Sequence, residues 1–327
     1  MLRLTRYREY IWFVVVTTCL GAIAAYGAVG WKLAIVLLAN ELAVGFAFMI
    51  NDVEDAADDA LDPAKVQRNP VSAGRLTPRA AYVASFIVAA LSAALFATLG
   101  RWPFVVGMIC LVIAFLYSWR PVRLKAIPFV DLVSHAFMLA GLQVIASYVT
   151  FAAVLGPRFY WPLALALAIS AYGELYNELR DLEGDLKAGV THTASRLGAD
   201  ATQQLATAFA LCGLFAAFVS LFFVQLVPLW VVGLSAGVAA LLLVRPVRRH
   251  RRDAFVTTQA PFHKPVEIAA ALALSVRVVG PALNTLATGL ANTLLHSPFG
   301  LLVMSSPWTQ QVQRLWQTQT ELILRLF

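Results

Sequence analysis

Residues 51–76, NDVEDAADDALDPAKVQRNPVSAGRL, carry six acidic side chains in the twelve positions that follow Ile50, directly after an apolar run. On a continuing helix, at about 100° per residue, Asp52, Asp55, Asp58, Asp59 and Asp62 share about one third of the circumference, and only Glu54 falls outside it. Like charges this close repel unless a cation or a proton lies between them. Carboxylates with an amide from Asn51, and no His or Cys nearby, suit a hard ion such as Mg²⁺. Such an ion takes one or two carboxylates and fills its shell with phosphate oxygens and water. The plainer reading is an acidic helix end in the cytosol.

A second stretch, residues 171–190, reads AYGELYNELRDLEGDLKAGV. Asn177, Asp181 and Asp185 repeat the +4 and +8 spacing of Asn51, Asp55 and Asp59, with Glu178 nearby and Glu174 one turn deeper on the same face. Two matching clusters suggest two metal ions. Lys65, Arg68 and Arg75 follow the first cluster, and LYSWRPVRLK supplies Arg120, Arg123 and Lys125. Such groups bind phosphates. Each one singly also reads as a topology determinant or lipid contact, and Tyr117 and Tyr176 as interfacial anchors. Beside the acids, they point to a diphosphate.

The elements that must hold these residues are membrane helices. The chain is 60% hydrophobic and 13% charged, with mean hydropathy +0.74, far from the balance of soluble domains. Apolar runs predict an all-α integral membrane protein with about nine transmembrane helices around a central cavity, at 10–30, 32–51, 80–100, 103–119, 130–153, 158–179, 205–223, 227–244 and 262–283. A polytopic domain over 1–283 would precede an extension over 284–327. In that extension Pro298 and Pro307 interrupt a segment open to reading as a tenth span, a re-entrant piece or a surface hairpin. The last residues place Trp308, Val312, Leu315, Trp316, Leu322, Ile323 and Leu326 on one amphipathic face that suits the membrane surface.

Nineteen Lys and Arg fall in segments expected inside, against Lys32, Arg101 and Arg158 outside, which puts both acidic stretches on the cytoplasmic side. The net charge of +7 thus reflects topology and anionic membrane lipid, with no nucleic-acid partner implied. Cys19, Cys110 and Cys212 lie in separate spans and read as small core residues.

Asn51, Asp52, Asp55 and Asp59 resemble the NDxxDxxxD motif of the UbiA-type intramembrane prenyltransferases. RNPVSAGRL resembles that family's basic continuation, YSWRPVRLK its Tyr-Ser segment followed by Pro, Arg and Lys, and NELRDLEGDLKAG its second acidic motif. The resemblance covers about residues 1–283. It implies two Mg²⁺ ions, an isoprenyl diphosphate with its tail toward lipid, and transfer of the isoprenyl group to a lipophilic acceptor, an aromatic one being the first expectation. Carried over residue by residue, it assigns Asp55, Asp59, Asp181 and Asp185 to metal. Asn51, Arg68, Tyr117, Arg123 and Asn177 are assigned to substrate, and Asp52, Asp55, Lys125 and Asp181 to catalysis.

The chain departs from the pattern at Asn177 and Glu178, where many members have an Asp, so Glu178 or Glu174 stand as substitutes. DDALD, with Asp58 and Asp62, gives a second metal-binding register. Glu41, Asp131, His135, Glu267 and Arg277 lie in or near spans, where ionisable groups are costly and face cavities or partners. Two other classes fit parts of the chain: a transporter using intramembrane acids, and a nonenzymatic lipid-binding protein of the same fold.

Overall fold

The computed structural model describes residues 4–60, 63–249 and 260–295. The long helices are α1 (Tyr7–Ala24), α2 (Trp31–Glu54), α5 (Pro78–Leu99), α6 (Arg101–Ser118), α9 (Pro157–Ala188), α11 (Ala199–Phe222), α12 (Leu229–Arg249) and α13 (Ala260–Leu295). Short helices α3 (Ala56–Asp59), α4 (Pro63–Arg68) and α10 (Thr193–Leu197) lie between them. One further span is composite: α7 (Val130–Ala136), a π-turn (Phe137–Gly141) and α8 (Leu142–Phe151). No strand occurs among the described residues. In hydrocarbon every backbone N–H and C=O needs an internal partner, and helices supply it within one segment.

Among the described residues six helices are long and apolar enough to cross a membrane: Trp31–Glu54, Pro78–Leu99, Arg101–Ser118, Val130–Phe151, Ala199–Phe222 and His263–Leu290. The segments expected at 10–30, 158–179 and 227–244 contain α1, which ends at Ala24, part of α9, and α12 from Leu229, and fall outside that set of six. α13 continues to Leu295, so position 283 lies inside a helix. The amphipathic segment expected at the carboxyl end lies outside the described residues. Cys212 is exposed on α11, while Cys19 and Cys110 are buried; a thiol is apolar enough to face lipid as readily as a core.

Small residues let the helices approach closely. A Cβ on Gly21 would lie 2.3 Å from the Val144 carbonyl oxygen, so only glycine permits the contact of α1 with α8. Thr77 caps α5 by accepting from the Ala80 N–H, with Pro78 in the first turn. Gly100, at φ 121°, turns the chain from α5 directly into α6. Deep in the bundle the Asn40 amide donates to Thr18 Oγ1 at 2.9 Å and Ser147 Oγ at 3.2 Å, and Thr17 Oγ1 donates to Gln143 Oε1 at 2.7 Å. These buried bonds tie α1, α2 and α8 together. At the end away from the acidic stretches, Arg158 lies over the Tyr26 ring at 4.4 Å.

Candidate active site

The helix that delivers Asn51 stops sooner than a uniform wheel assumes. α2 ends at Glu54, Asp55 caps it at φ −88° and ψ 1°, and α3 adds one turn. The following loop takes up the free carbonyls at this end. The Asn69 amide donates to the Asp52 carbonyl at 2.7 Å, and Ser72 Oγ to the Ala56 carbonyl at 2.8 Å. Asn69 also donates to Asp59 Oδ2 at 2.8 Å. The acids therefore part company. Asp52 is fully buried and ion-paired with Arg6, Asp59 turns to Asn69, and Asp55 and Asp58 meet the loop after α6. Asp62 lies outside the described residues.

That loop folds back because Arg123 adopts a left-handed conformation, φ 46° and ψ 61°, before a 3-10 turn at Leu124–Ala126. A non-glycine residue is uncommon there, and such strain tends to collect at functional sites. Its effect is to return Lys125 to α2. Lys125 Nζ lies 2.8 Å from Asn51 Oδ1 and 2.5 Å from Asp55 Oδ2. Arg123 contacts Asp55 at 3.3 Å and Asp58 at 2.8 Å, and Arg120 reaches Asp58 at 3.1 Å and the Glu54 carbonyl at 3.0 Å. Ser118 Oγ donates to Asn51 Oδ1 at 3.2 Å, orienting the amide. Partial desolvation pushes the Asp58 carboxyl up, but Arg123 and Arg120 outweigh it and hold that group below its usual value.

On α9, Arg180 grips Asp181 with two bonds of 2.9 Å. Burial pushes the Asp181 carboxyl up, and Arg180, with Lys65 and Arg68 on α4, more than compensates and lowers it. The exposed Arg68 thus lies within electrostatic reach of the second acidic stretch. Asn177 is half-buried, one turn before Asp181. The Asp185 side chain lies outside what is described. Glu178, buried, accepts from the Ala194 N–H at 2.8 Å and faces His192 Nδ1 at 3.3 Å. Glu174 accepts from the Tyr117 hydroxyl at 2.6 Å and faces His135 Nε2 at 3.1 Å. Asp131, fully buried, accepts from the Thr193 N–H at 2.6 Å and its hydroxyl at 2.5 Å.

The structure therefore brings Asn51, Asp55, Arg123 and Lys125 into one cluster, and joins Tyr117 to α9. It seats Asp52, Asp59 and Asp181 on other partners. Arg6, Asn69 and Ser118 were not singled out for the site by sequence. Asn69 lies inside RNPVSAGRL, a local signal, whereas nothing near Arg6 in the sequence points to Asp52. Among the described residues no three His, Cys, Asp or Glu side chains converge as a metal cage. The donor chemistry nonetheless fits Mg²⁺, which binds through one or two carboxylates and substrate phosphate rather than a complete protein cage. The Lys125 ammonium stands in for a cation, held between the amide oxygen of Asn51 and the carboxylate of Asp55.

Comparison with known proteins agrees with this architecture. Residues 13–268 match the family model described as the UbiA prenyltransferase family. A UbiA homolog from Archaeoglobus fulgidus, bound to GPP and Mg²⁺, superposes with TM-score 0.64 at 20% identity over 84% of this chain and 96% of that one, which shows a shared fold. The chain is 29% identical to the digeranylgeranylglyceryl phosphate synthase of Methanopyrus kandleri over 56% of its own length and 64% of that protein's. It is 27% identical to the bacteriochlorophyll synthase 34 kDa chain of Chloroflexus aurantiacus over 52% of its length and 55% of that chain's. The matched stretches thus span less than two thirds of either relative. With more than half of its length covered by the family model and the fold in agreement, the chain belongs to the UbiA prenyltransferase family.

Proposed function

We propose that this protein transfers an isoprenyl group from an allylic isoprenyl diphosphate to a lipophilic acceptor, an aromatic one being the first expectation, within the membrane. The observation that carries this reading is the convergence of Lys125 and Arg123 on Asn51 and Asp55 at the end of an apolar bundle. Cationic groups gathered there favour the negative charge that grows on diphosphate as the allylic C–O bond breaks. Apolar helices keep water from the carbon so exposed. Arg68 extends the phosphate-facing charge, and the Asn51 amide is aimed by Ser118.

Asn51 and Asp55 would hold one Mg²⁺, and Asp181 with Asn177 and Asp185 a second. When bound, the ions supply Lewis-acid neutralisation of the diphosphate oxygens. Binding through Asp55 requires Lys125 to give up its contact with that carboxylate and turn to phosphate, a short movement for a flexible side chain. Segments 1–283 would form the transferase and 284–327 an extension, with the acidic end toward the cytoplasm. Incubating the purified protein with Mg²⁺ and radiolabelled geranyl, farnesyl and geranylgeranyl diphosphates, against phenol, tetrapyrrole, glycerolipid and polyene acceptors, tests the reading. A labelled lipophilic adduct supports it, and none with any pair contradicts it.

A further inference from the structure

Glu174, in the second stretch, is held by a tyrosine and a histidine and not by the arginine that grips Asp181. Its Oε1 accepts the Tyr117 hydroxyl from α6 at 2.6 Å, and its Oε2 faces His135 Nε2 on α7 at 3.1 Å. His135 Nδ1 is in turn 3.3 Å from Ser170 Oγ, one turn earlier on α9. The Glu174 and His135 side chains each remain 13% exposed, unlike Asp131, which is sealed. A π-turn, Phe137–Gly141, begins two residues after His135, a local irregularity often found where a helix presents a functional group.

The position in depth matters as much as the contacts. Glu174 precedes Asp181 by seven residues on α9, about 10 Å of helix toward the membrane interior. Tyr117 is adjacent in sequence to Ser118, which holds the Asn51 amide. The group therefore lies beneath the phosphate-facing cluster, on the side where the hydrocarbon part of a donor and a lipophilic acceptor would meet. An ionisable pair kept within a membrane bundle is costly unless it has a task.

Resting on the prenyl-transfer reading above, we propose that Glu174, positioned by His135 and Tyr117, is the proton acceptor for the second substrate. The allylic C–O bond breaks and its electron pair leaves with diphosphate. The acceptor donates an electron pair to the allylic carbon, a new bond to carbon forms, and the proton released from the acceptor's C–H or O–H passes to a Glu174 oxygen. Besides Tyr117 and His135, the titratable groups near this position are Glu178 on α9 and Asp131 on α7. A role for Glu174 as a substitute metal ligand is not needed.

Two reactions of the same protein separate this role from a structural one. Geranyl diphosphate carrying ¹⁸O in the bridging position reports reversible C–O cleavage by migration of label to non-bridging oxygens, with no acceptor needed. Product formation, with the acceptor that the wild-type protein uses, reports the whole transfer. Glu174→Gln should keep geranyl diphosphate affinity and label migration, while product formation falls about 10²- to 10⁴-fold and no longer rises with pH. His135→Gln, which leaves the carboxylate in place, should lower product formation less and shift the pH at which it rises. The proposal is overturned if Glu174→Gln forms product at the wild-type rate, or if product, label migration and donor binding fall together. Absence of both label migration and product in the wild-type protein would overturn the prenyl-transfer reading itself, which is a different result.

Discussion

Lys125 meets Asp55 across 70 positions of sequence, Nζ to Oδ2 at 2.5 Å, at the junction of α2 and the loop after α6. The same ammonium touches Asn51, so one lysine faces both donors expected to lie beside diphosphate. If Lys125 stabilises charge developing on the leaving group, Lys125→Met should lower turnover about 10²- to 10³-fold while weakening donor binding much less. Turnover and dissociation constant measured separately decide it. A loss of turnover only in proportion to binding would leave Lys125 as an ordinary anion contact.

Arg6 and Asp52 form a buried pair, with side chains 6% and 0% exposed. Removing one partner strands a charge, so Arg6→Met or Asp52→Leu alone should cost about 3–5 kcal/mol, while the double substitution recovers most of that loss. Chemical unfolding in detergent measures all three. Single variants within experimental error of wild type would show that the pair does not anchor the amino-terminal segment to α2.

Asn69 is fully buried and joins Asp59, the Asp52 carbonyl and the Val71 N–H. Asn69→Ala leaves these groups without a partner and should destabilise the protein by about 1–3 kcal/mol. Donor affinity should fall as well, because the turn carrying Asp55 loses its support. Unfolding and calorimetric binding on the same preparation test both parts. Unchanged stability contradicts the first, and unchanged affinity the second.

Much of this was legible because the chemistry is written in short runs. Apolar stretches of spanning length announce helices, and Asn51, Asp55 and Lys125 each lie in a motif that can be read locally. What stayed hidden depends on contacts between distant segments. One continuous helix past Asn51 would gather the aspartates, but α2 ends at Glu54, where Asn69 and Ser72 bond the Asp52 and Ala56 carbonyls, and the aspartates diverge. No local pattern around His135 names its partner, because Glu174 lies on another helix. The only local signal was an ionisable group in an apolar run.

Orientation is open to a direct test. In a background with Cys19, Cys110 and Cys212 replaced by Ala, Cys placed at the exposed Gln67 should react with a membrane-impermeant maleimide only from the cytoplasmic side. At Val154, which is 78% exposed and lies toward the other end, it should react only from outside. The reverse pattern would move the acidic end to the outer face. Cys212 must be removed because it is itself exposed.

The central claim is that both acidic stretches serve one Mg²⁺-dependent diphosphate site, and calorimetric titration of geranyl diphosphate into the purified protein tests it most directly. Binding should be measurable with Mg²⁺, abolished by EDTA, and restored by added Mg²⁺. Asp55→Asn and Asp181→Asn should each lose at least about tenfold in affinity, or about 1.4 kcal/mol, while unfolding as wild type does. Equal affinity in EDTA, or wild-type affinity in either variant, contradicts the account.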